Sequence, residues 1–327
     1  MIEIAFLLPE RHFASGTTAS AEVLSIANGL AQRKGEAVFA WRLLSENGTP
    51  VRSSTGIALP VDGSYADVDA SDVVVVPGIT CANIRQLERT LAEQAPLIGR
   101  LTRWHDEGKL IASFCTGVTL LAEAGLLAGR PTSISWWLTS WFRTRYPSVQ
   151  LQTHAILCES PGLLCGGATT SYLNMALRLV ERYAGPDISL QCARLMLVDT
   201  QRTSQATYAT LAQFSGHDDA LVTRCQHWLQ KNLNQPFSLN SLAAAAGSSQ
   251  RTVMRRFQQV LGDTPLHYLQ QLRLFAARRL LETTALGIDE IVGHVGYTDV
   301  STFRRLFKRE LNCSPGEYRR RFAVVDA

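Results

Sequence analysis

The most constraining feature of this chain is an internal repeat in its last third. Leu242-Ala243-Ala244-Ala245-Ala246-Gly247 is echoed by Ile291-Val292-Gly293-His294-Val295-Gly296. The correspondence continues, since Phe257, Thr264-Pro265 and Tyr268 return 50 residues later as Phe307, Ser314-Pro315 and Tyr318. The glycines are 49 residues apart, so the second copy has one extra residue between its turn and the next helix. After each glycine comes an expected N-cap, Ser249 and Thr298. A basic helix then follows, predicted over Gln250–Leu261 in the first copy and Asp299–Leu311 in the second. Helix, glycine-containing turn and basic helix with a polar tip form the pattern of a helix-turn-helix. Two copies predict an all-α carboxyl-terminal domain with two such motifs.

Helical periodicity sorts the faces. In the first copy Val253, Phe257 and Val260 point inward, while Gln250, Arg251, Thr252, Met254, Arg255 and Gln258 are candidate DNA contacts. In the second, Phe303 and Phe307 point inward, and Val300, Ser301, Arg304, Arg305 and Lys308 are the corresponding candidates. Arginine suits guanine O6/N7 or phosphate, and glutamine suits adenine. One basic amphipathic helix is ordinarily a solvated face; two with matching caps, anchors and trailing Pro/Tyr pairs point to double-stranded DNA. Pro265–Glu282 reads as one connecting helix, with Leu266, Leu269, Leu272, Leu280 and Leu281 as apolar contacts. At about 1.5 Å per residue it spans roughly 27 Å. With turns added, that suits two successive major grooves about 34 Å apart.

The charge distribution agrees. From Gln235 onward there are 13 Lys+Arg against 8 Asp+Glu, a balance of +5, whereas the preceding residues balance at −1. With 327 residues, two domains are expected. No apolar run approaches the ~18 residues of a membrane-spanning helix, and the opening Met1-Ile2-Glu3-Ile4 is unlike a signal peptide. Seven cysteines without CxxC spacing argue against a disulfide framework or a zinc finger. A cytoplasmic protein without metal, cofactor or membrane partner is the expectation.

The first 200 residues alternate short β-rich runs (Ile2 to Leu8, Val38 to Leu44, Val73 to Val76, Leu110 to Phe114) with helical stretches such as Ala19–Arg33 and Leu97–Glu107. This is the pattern of a mostly parallel sheet covered on both faces, an α/β three-layer sandwich of flavodoxin-like type. Function in such sheets gathers beyond the carboxyl ends of the strands. One strand runs into Pro77-Gly78-Ile79. Another runs into Cys115-Thr116-Gly117 and then the helical Val118–Ala124, placing Cys115 at a strand-to-helix elbow beside a helix N-terminus. Trp136, Trp137 and Trp141 fall in one predicted helix, either as an aromatic cage for a cationic nitrogen or as a core or dimer face.

On VVVVPG, LIASFCTGVTLLAEAGLLAGR and CGGATTSYLNMALRLVE, residues 1–198 resemble the class I glutamine-amidotransferase-like (PfpI-type) domain. Cys115 matches that family's elbow cysteine. Hydrolytic members pair it with a histidine, often the next residue, which here is Thr116; regulatory members often show Thr-His-Trp, where this chain has Ile134-Ser135-Trp136. His154, in a predicted strand, matches no motif position, and Asn174 stands where relatives often have Asp. A thiol without a base is a poor catalyst, so no catalytic residue is assigned. Cys115 is instead read as a pocket residue, a redox-sensitive thiol or an inert packed cysteine. The resemblance implies a ligand pocket at Gly78, Ile79, Cys115, Thr116, Ser135 and Trp136.

Residues 218–323 resemble the AraC/XylS-type DNA-binding domain on GSSQRTVMRRF and RLFAARRLLETTALGIDEIVGHVGYTDVSTFRRLFKRELNCSPGEYRRR. Arg256 replaces a usual leucine, with snorkelling or a phosphate contact as its expected role, and Asn312 a usual glycine. A linker is expected at Asp199–His217. Together the resemblances imply a homodimeric, sequence-specific transcriptional regulator with a promoter or operator as its partner. A small metabolite, often nitrogen-containing in that family, would act as effector, and RNA polymerase is a further candidate partner. Activation or repression is left open. The competing class is a cysteine-dependent hydrolase or glyoxalase-like enzyme fused to a DNA-binding module.

Overall fold

The computed structural model describes residues 1–32, 38–200, 205, 217 and 219–323. Its contacts divide the chain into two compact units. One comprises Met1–Trp136 with Tyr146–Gln205, the other Trp137–Arg145 with Ala206–Ala327. Most of the expected linker, 199–217, lies outside the described residues.

In the first unit the strands, in chain order, are β1 (Ile2–Leu7), β2 (Phe39–Ser45), β3 (Val51–Arg52), β4 (Ala58–Leu59), β5 (Gly63–Ser64), β6 (Val73–Val76), β7 (Leu110–Phe114), β8 (Pro131–Thr132), β9 (Gln150–Leu151), β10 (Leu157–Ser160) and β11 (Leu163–Gly166). Seven of them form one sheet in the order β10-β11-β7-β6-β1-β2-β5. All neighbours run parallel except the β10–β11 pair. Strands β6 and β7 are buried at every position, which is why their sequences are unbroken apolar runs without alternation. On one face α1 (Ala14–Gln32) packs on α6 (Ser171–Ala184) and α7 (Pro186–Leu195) over a core of Phe6, Val75, Phe114, Leu164 and Met175. The other face carries α2 (Ile84–Glu93), α3 (Ala95–Asp106) and α4 (Val118–Glu123), with Trp104 and Leu121 fully buried. This is the flavodoxin-like three-layer α/β domain that the pattern predicts. Strand order reverses between β1 and β6, so the loops after β1 and β6 border a topological switch point, with the loop after β7 next to them.

Two expectations fail in this unit. His154 lies in a turn between β9 and β10, outside any strand. The three tryptophans do not share a helix: Trp136–Leu138 forms a 3-10 turn, and α5 follows at Thr139–Arg145. Trp136 stays with the α/β unit, whereas Trp137 and Trp141 count with the helical one. Trp141 already carries a cation, with the Arg145 guanidinium carbon 5.7 Å from its ring centre.

The helical unit contains α5 together with α8 (Ala220–Lys231), α9 (Leu239–Ala245), α10 (Gln250–Leu261), α11 (Pro265–Thr283), α12 (Ile288–His294), α13 (Val300–Leu311) and α14 (Pro315–Phe322). It has two cores. Val222, Leu242, Val253, Phe257, Tyr268 and Leu272 make one; Leu281, Ile291, Phe303, Phe307 and Tyr318 belong to the other. Helix α11 contributes to both, as the connecting helix should, although Leu266 in its first turn is exposed and supplies no buried contact. Arg273 links the halves of α11's surroundings. Its guanidinium donates to Leu233 O (2.8 Å) and Gln235 O (2.6 Å) and lies 5.1 Å from the Tyr297 ring centre.

Candidate DNA interface and ligand pocket

The candidate DNA-facing surface is assembled from caps and anchors. Ser249 Oγ accepts from Thr252 N at 3.2 Å and starts α10. In the second copy the cap is Asp299, one residue beyond the predicted Thr298; its carboxylate accepts from the N–H groups of Ser301 and Thr302, both at 3.0 Å. The extra residue of the second copy explains the shift, and a carboxylate spanning two free N–H groups outcompetes the neighbouring hydroxyl. Val253, Phe257, Phe303 and Phe307 are fully buried and hold the two helices by their inner faces. Of the predicted outer residues, Gln250, Arg251, Met254, Arg255, Gln258, Ser301, Arg304, Arg305 and Lys308 are exposed, while Thr252 and Val300 are half-buried. Arg304 is held only loosely, 3.7 Å from Asp289 and largely solvent-exposed. Arg256 takes neither expected role: it pairs with Asp219, the N-cap of α8. Burial pushes the Asp219 carboxyl up, but the backbone N–H of Val222 and the Arg256 guanidinium together hold it below its ordinary value.

The residues expected to line a ligand pocket lie at and beyond the carboxyl ends of β6 and β7 and beside the end of β11. Cys115 adopts φ +57°, a left-handed conformation that few non-glycine residues take, so the elbow is strained as the pattern implies. Thr116 Oγ1 donates to Ile79 O at 2.6 Å and accepts from Ile79 N at 2.7 Å, locking the β6 loop to the elbow. A Cβ on Gly78 would stand 3.1 Å from Cys115 Cβ. Ser135 Oγ lies 3.1 Å from Cys115 Sγ and 2.8 Å from Gly167 O, and Thr169 Oγ1 is 3.5 Å from the sulfur. Four of the six residues, Ile79, Cys115, Thr116 and Ser135, are thus joined by these contacts; Gly78 lies so close to Cys115 that a side chain there would crowd it, and Trp136 follows Ser135 in the chain and is half-buried.

Sequence reasoning missed two groups near this site. His12 bridges Ile79 through its backbone and is fully buried; its Nδ1 lies 2.9 Å from Pro9 O and its Nε2 has no partner. Burial pushes its pKa below the ordinary value, against the Pro9 carbonyl and Glu10. Gln205 is also fully buried. No local pattern marks either residue, because each reaches the site only through the fold.

A helix-turn-helix pair with exposed basic faces, joined to an α/β domain with a thiol elbow, defines a DNA-binding regulator with an attached sensor-type domain. The known proteins agree on both halves. Residues 242–321 match the helix-turn-helix domain family and residues 13–171 the DJ-1/PfpI family. The transcriptional regulator GbdR of Pseudomonas aeruginosa is 26% identical over 317 residues, covering 97% of this chain and 83% of its own. GlxA of Rhizobium meliloti, also named a transcriptional regulator, is 28% identical over 326 residues, covering 97% and 95%. A DJ-1 superfamily protein of Salmonella typhimurium superposes with a TM-score of 0.50 at 20% identity, covering 61% of this chain and 100% of that one. The chain carries an AraC-type helix-turn-helix domain and a DJ-1/PfpI domain, and along almost its whole length it is similar to regulators of the GbdR and GlxA type. It is a DNA-binding transcriptional regulator.

Proposed function

We propose that this regulator reads a specific operator with the outer faces of α10 and α13 and is controlled by a small molecule bound beside Cys115. In this reading residues 1–198 sense the effector and dimerise, 199–217 link, and 218–323 bind DNA in the cytoplasm, in reach of RNA polymerase. The observation that carries it is the pair of exposed arginine-bearing helix faces, anchored from behind by fully buried Phe257 in the first and by Phe303 and Phe307 in the second. Effector binding would shift the populations of DNA-competent and DNA-incompetent dimers. Among the described residues no helix is long and apolar enough to cross a membrane.

The pocket is read as non-catalytic. The groups 3.1 and 3.5 Å from Cys115 Sγ are the hydroxyls of Ser135 and Thr169, and neither is a base at neutral pH. Footprinting of native upstream regions, with and without metabolite pools, tests the regulator. A protected stretch that responds to a metabolite is the expected result, and no protection on any region overturns it. Cys115→Ser should leave operator binding within about twofold, and loss of a measurable hydrolase activity in that variant would reinstate the enzymatic reading.

A further inference from the structure

Gln205 occupies a cage of oxygen atoms beside the elbow. Its backbone N–H donates to His154 O at 2.8 Å. Its side-chain Nε2 donates towards Ile134 O (2.9 Å), Thr153 O (3.1 Å), Ala155 O (3.3 Å) and Ser133 Oγ (3.5 Å). Ser133 gives its own proton to Ala155 O at 2.5 Å, so its lone pairs face the cage. Three of the four oxygens are carbonyls and can only accept, which orients the amide with nitrogen inward. A primary amide nitrogen has two protons and cannot satisfy four acceptors, while its Oε1 is buried with no partner. The cage is therefore better matched to a group richer in N–H than the one now filling it. It also adjoins the elbow. A Cβ on Gly167 would stand 2.5 Å from Gln205 Nε2, and the Gly167 carbonyl accepts from Ser135, whose Oγ is 3.1 Å from Cys115 Sγ.

We propose that the cage of Ser133, Ile134, Thr153 and Ala155 is a binding subsite for a primary ammonium group, and that Gln205 is its built-in occupant, displaced when such a ligand enters. An ammonium offers three N–H donors and a positive charge to converging carbonyl dipoles, which offsets its desolvation. A quaternary ammonium has the charge but no N–H, so it forgoes the hydrogen bonds that the cage offers. Because Gln205 lies just before the segment that leads into the helical unit, its displacement would be felt by the connection. That consequence rests on the effector reading above; the subsite itself does not.

The test uses the full chain with Gln205→Ala, and with Gln205→Ser should the alanine variant fail to fold. Gln205→Leu, which refills the space without an N–H, is the control. The probe is n-propylammonium chloride, compared with trimethylpropylammonium chloride and propanamide by calorimetry and thermal shift. The opened variants are expected to bind propylammonium about tenfold or more tighter than the unsubstituted chain and the leucine variant, and about tenfold tighter than its trimethyl analogue. Equal binding of the two ammonium ions, tighter binding of propanamide, or no difference between the opened variants and the unsubstituted chain overturns the subsite. Operator affinity is followed in parallel. Propylammonium binding that never moves operator affinity supports the subsite and sinks the effector reading; a metabolite that moves operator affinity while propylammonium fails to bind does the reverse.

Discussion

Phe257 in the first repeat and Phe307 in the second occupy the same step, and both are fully buried, but they have different company. Among the described residues Phe257 meets one ring, Tyr268, edge-on at 5.9 Å. Phe307 sits within a run of aromatics, Tyr297, Phe303, Phe307, Tyr318 and Phe322, with successive centroids 4.6 to 5.7 Å apart. Helix α10 is held instead by polar ties to segments outside the repeat. Arg256 pairs with Asp219, Ser140 Oγ donates to Val260 O at 2.9 Å, and Arg143 donates to Gly262 O at 3.3 Å. One pattern of residues is thus braced in two ways, by ring packing in one copy and by hydrogen bonds from elsewhere in the other. The second copy packs its helix with its own rings and adds a tie from Glu310 to His267, while the first leans on segments outside the repeat.

The sharpest way to break this contrast is to remove the rings. Phe307→Ala should cost about 3–5 kcal/mol in denaturant unfolding of the helical unit, with Phe257→Ala at the lower end of that range. A larger loss at Phe257 would reverse the ordering. Next in size is DNA recognition. Arg255→Ala and Arg304→Ala should each weaken operator binding by about 1–3 kcal/mol and relax preference at one base pair. A loss spread evenly over all sequences would assign that arginine to phosphate. Asp219→Ala removes both a cap and the partner of Arg256 and should cost about 1–2 kcal/mol. Hydrogen exchange should then rise in α8 and α10 and not in α13; a rise in all three would mean that the copies do not differ. The two helix ends separate more finely. Gly262 has φ +66° and Asn312 φ +57°, so Gly262→Ala should cost about 1–2 kcal/mol and Asn312→Gly less than about 0.5 kcal/mol, both read by thermal melts.

A pH titration probes what joins the copies. His267 Nδ1 lies 2.6 Å from Asp263 Oδ2, at the end of the first copy, and its Nε2 is 3.6 Å from Glu310 Oε2 on α13. The Asp263 carboxylate first, then Glu310, pushes the His267 pKa up to about 9, and the bond to His267 pulls Glu310 down to about 2 against its burial. A raised histidine stabilises the fold fully below its ordinary 6.5 and loses that contribution as pH climbs through about 9. A lowered glutamate contributes above its ordinary 4.5 and fades as pH falls through about 2. The melting temperature of His267→Gln should therefore fall furthest below that of the unsubstituted chain near pH 5–6 and converge with it near pH 10.

Much of this molecule is local and was readable along the chain. The boundaries of α10 coincide with the predicted helix because Ser249 caps it and the apolar period runs without interruption to Leu261. The strand-to-helix step that makes Cys115 an elbow is written in consecutive residues, from Leu110 to Glu123. The neighbours were not readable. Arg256 finds Asp219 across 37 positions, and Gln205 finds Ser133 across 72. The Asp299 cap shows the same limit at short range, since two adjacent polar residues compete and the carboxylate's reach to two N–H groups decides.

By itself, then, the order of residues determined two helix-turn-helix copies, a buried parallel sheet and the place of the thiol, because periodicity, caps and turns act within a few residues. Only the folded chain decided which side chains meet across tens of residues, including the oxygen cage around Gln205, the lone Nε2 of His12 and the separate bracing of the two copies. Those pairings depend on how whole layers pack, and packing sums contacts that no stretch of sequence contains.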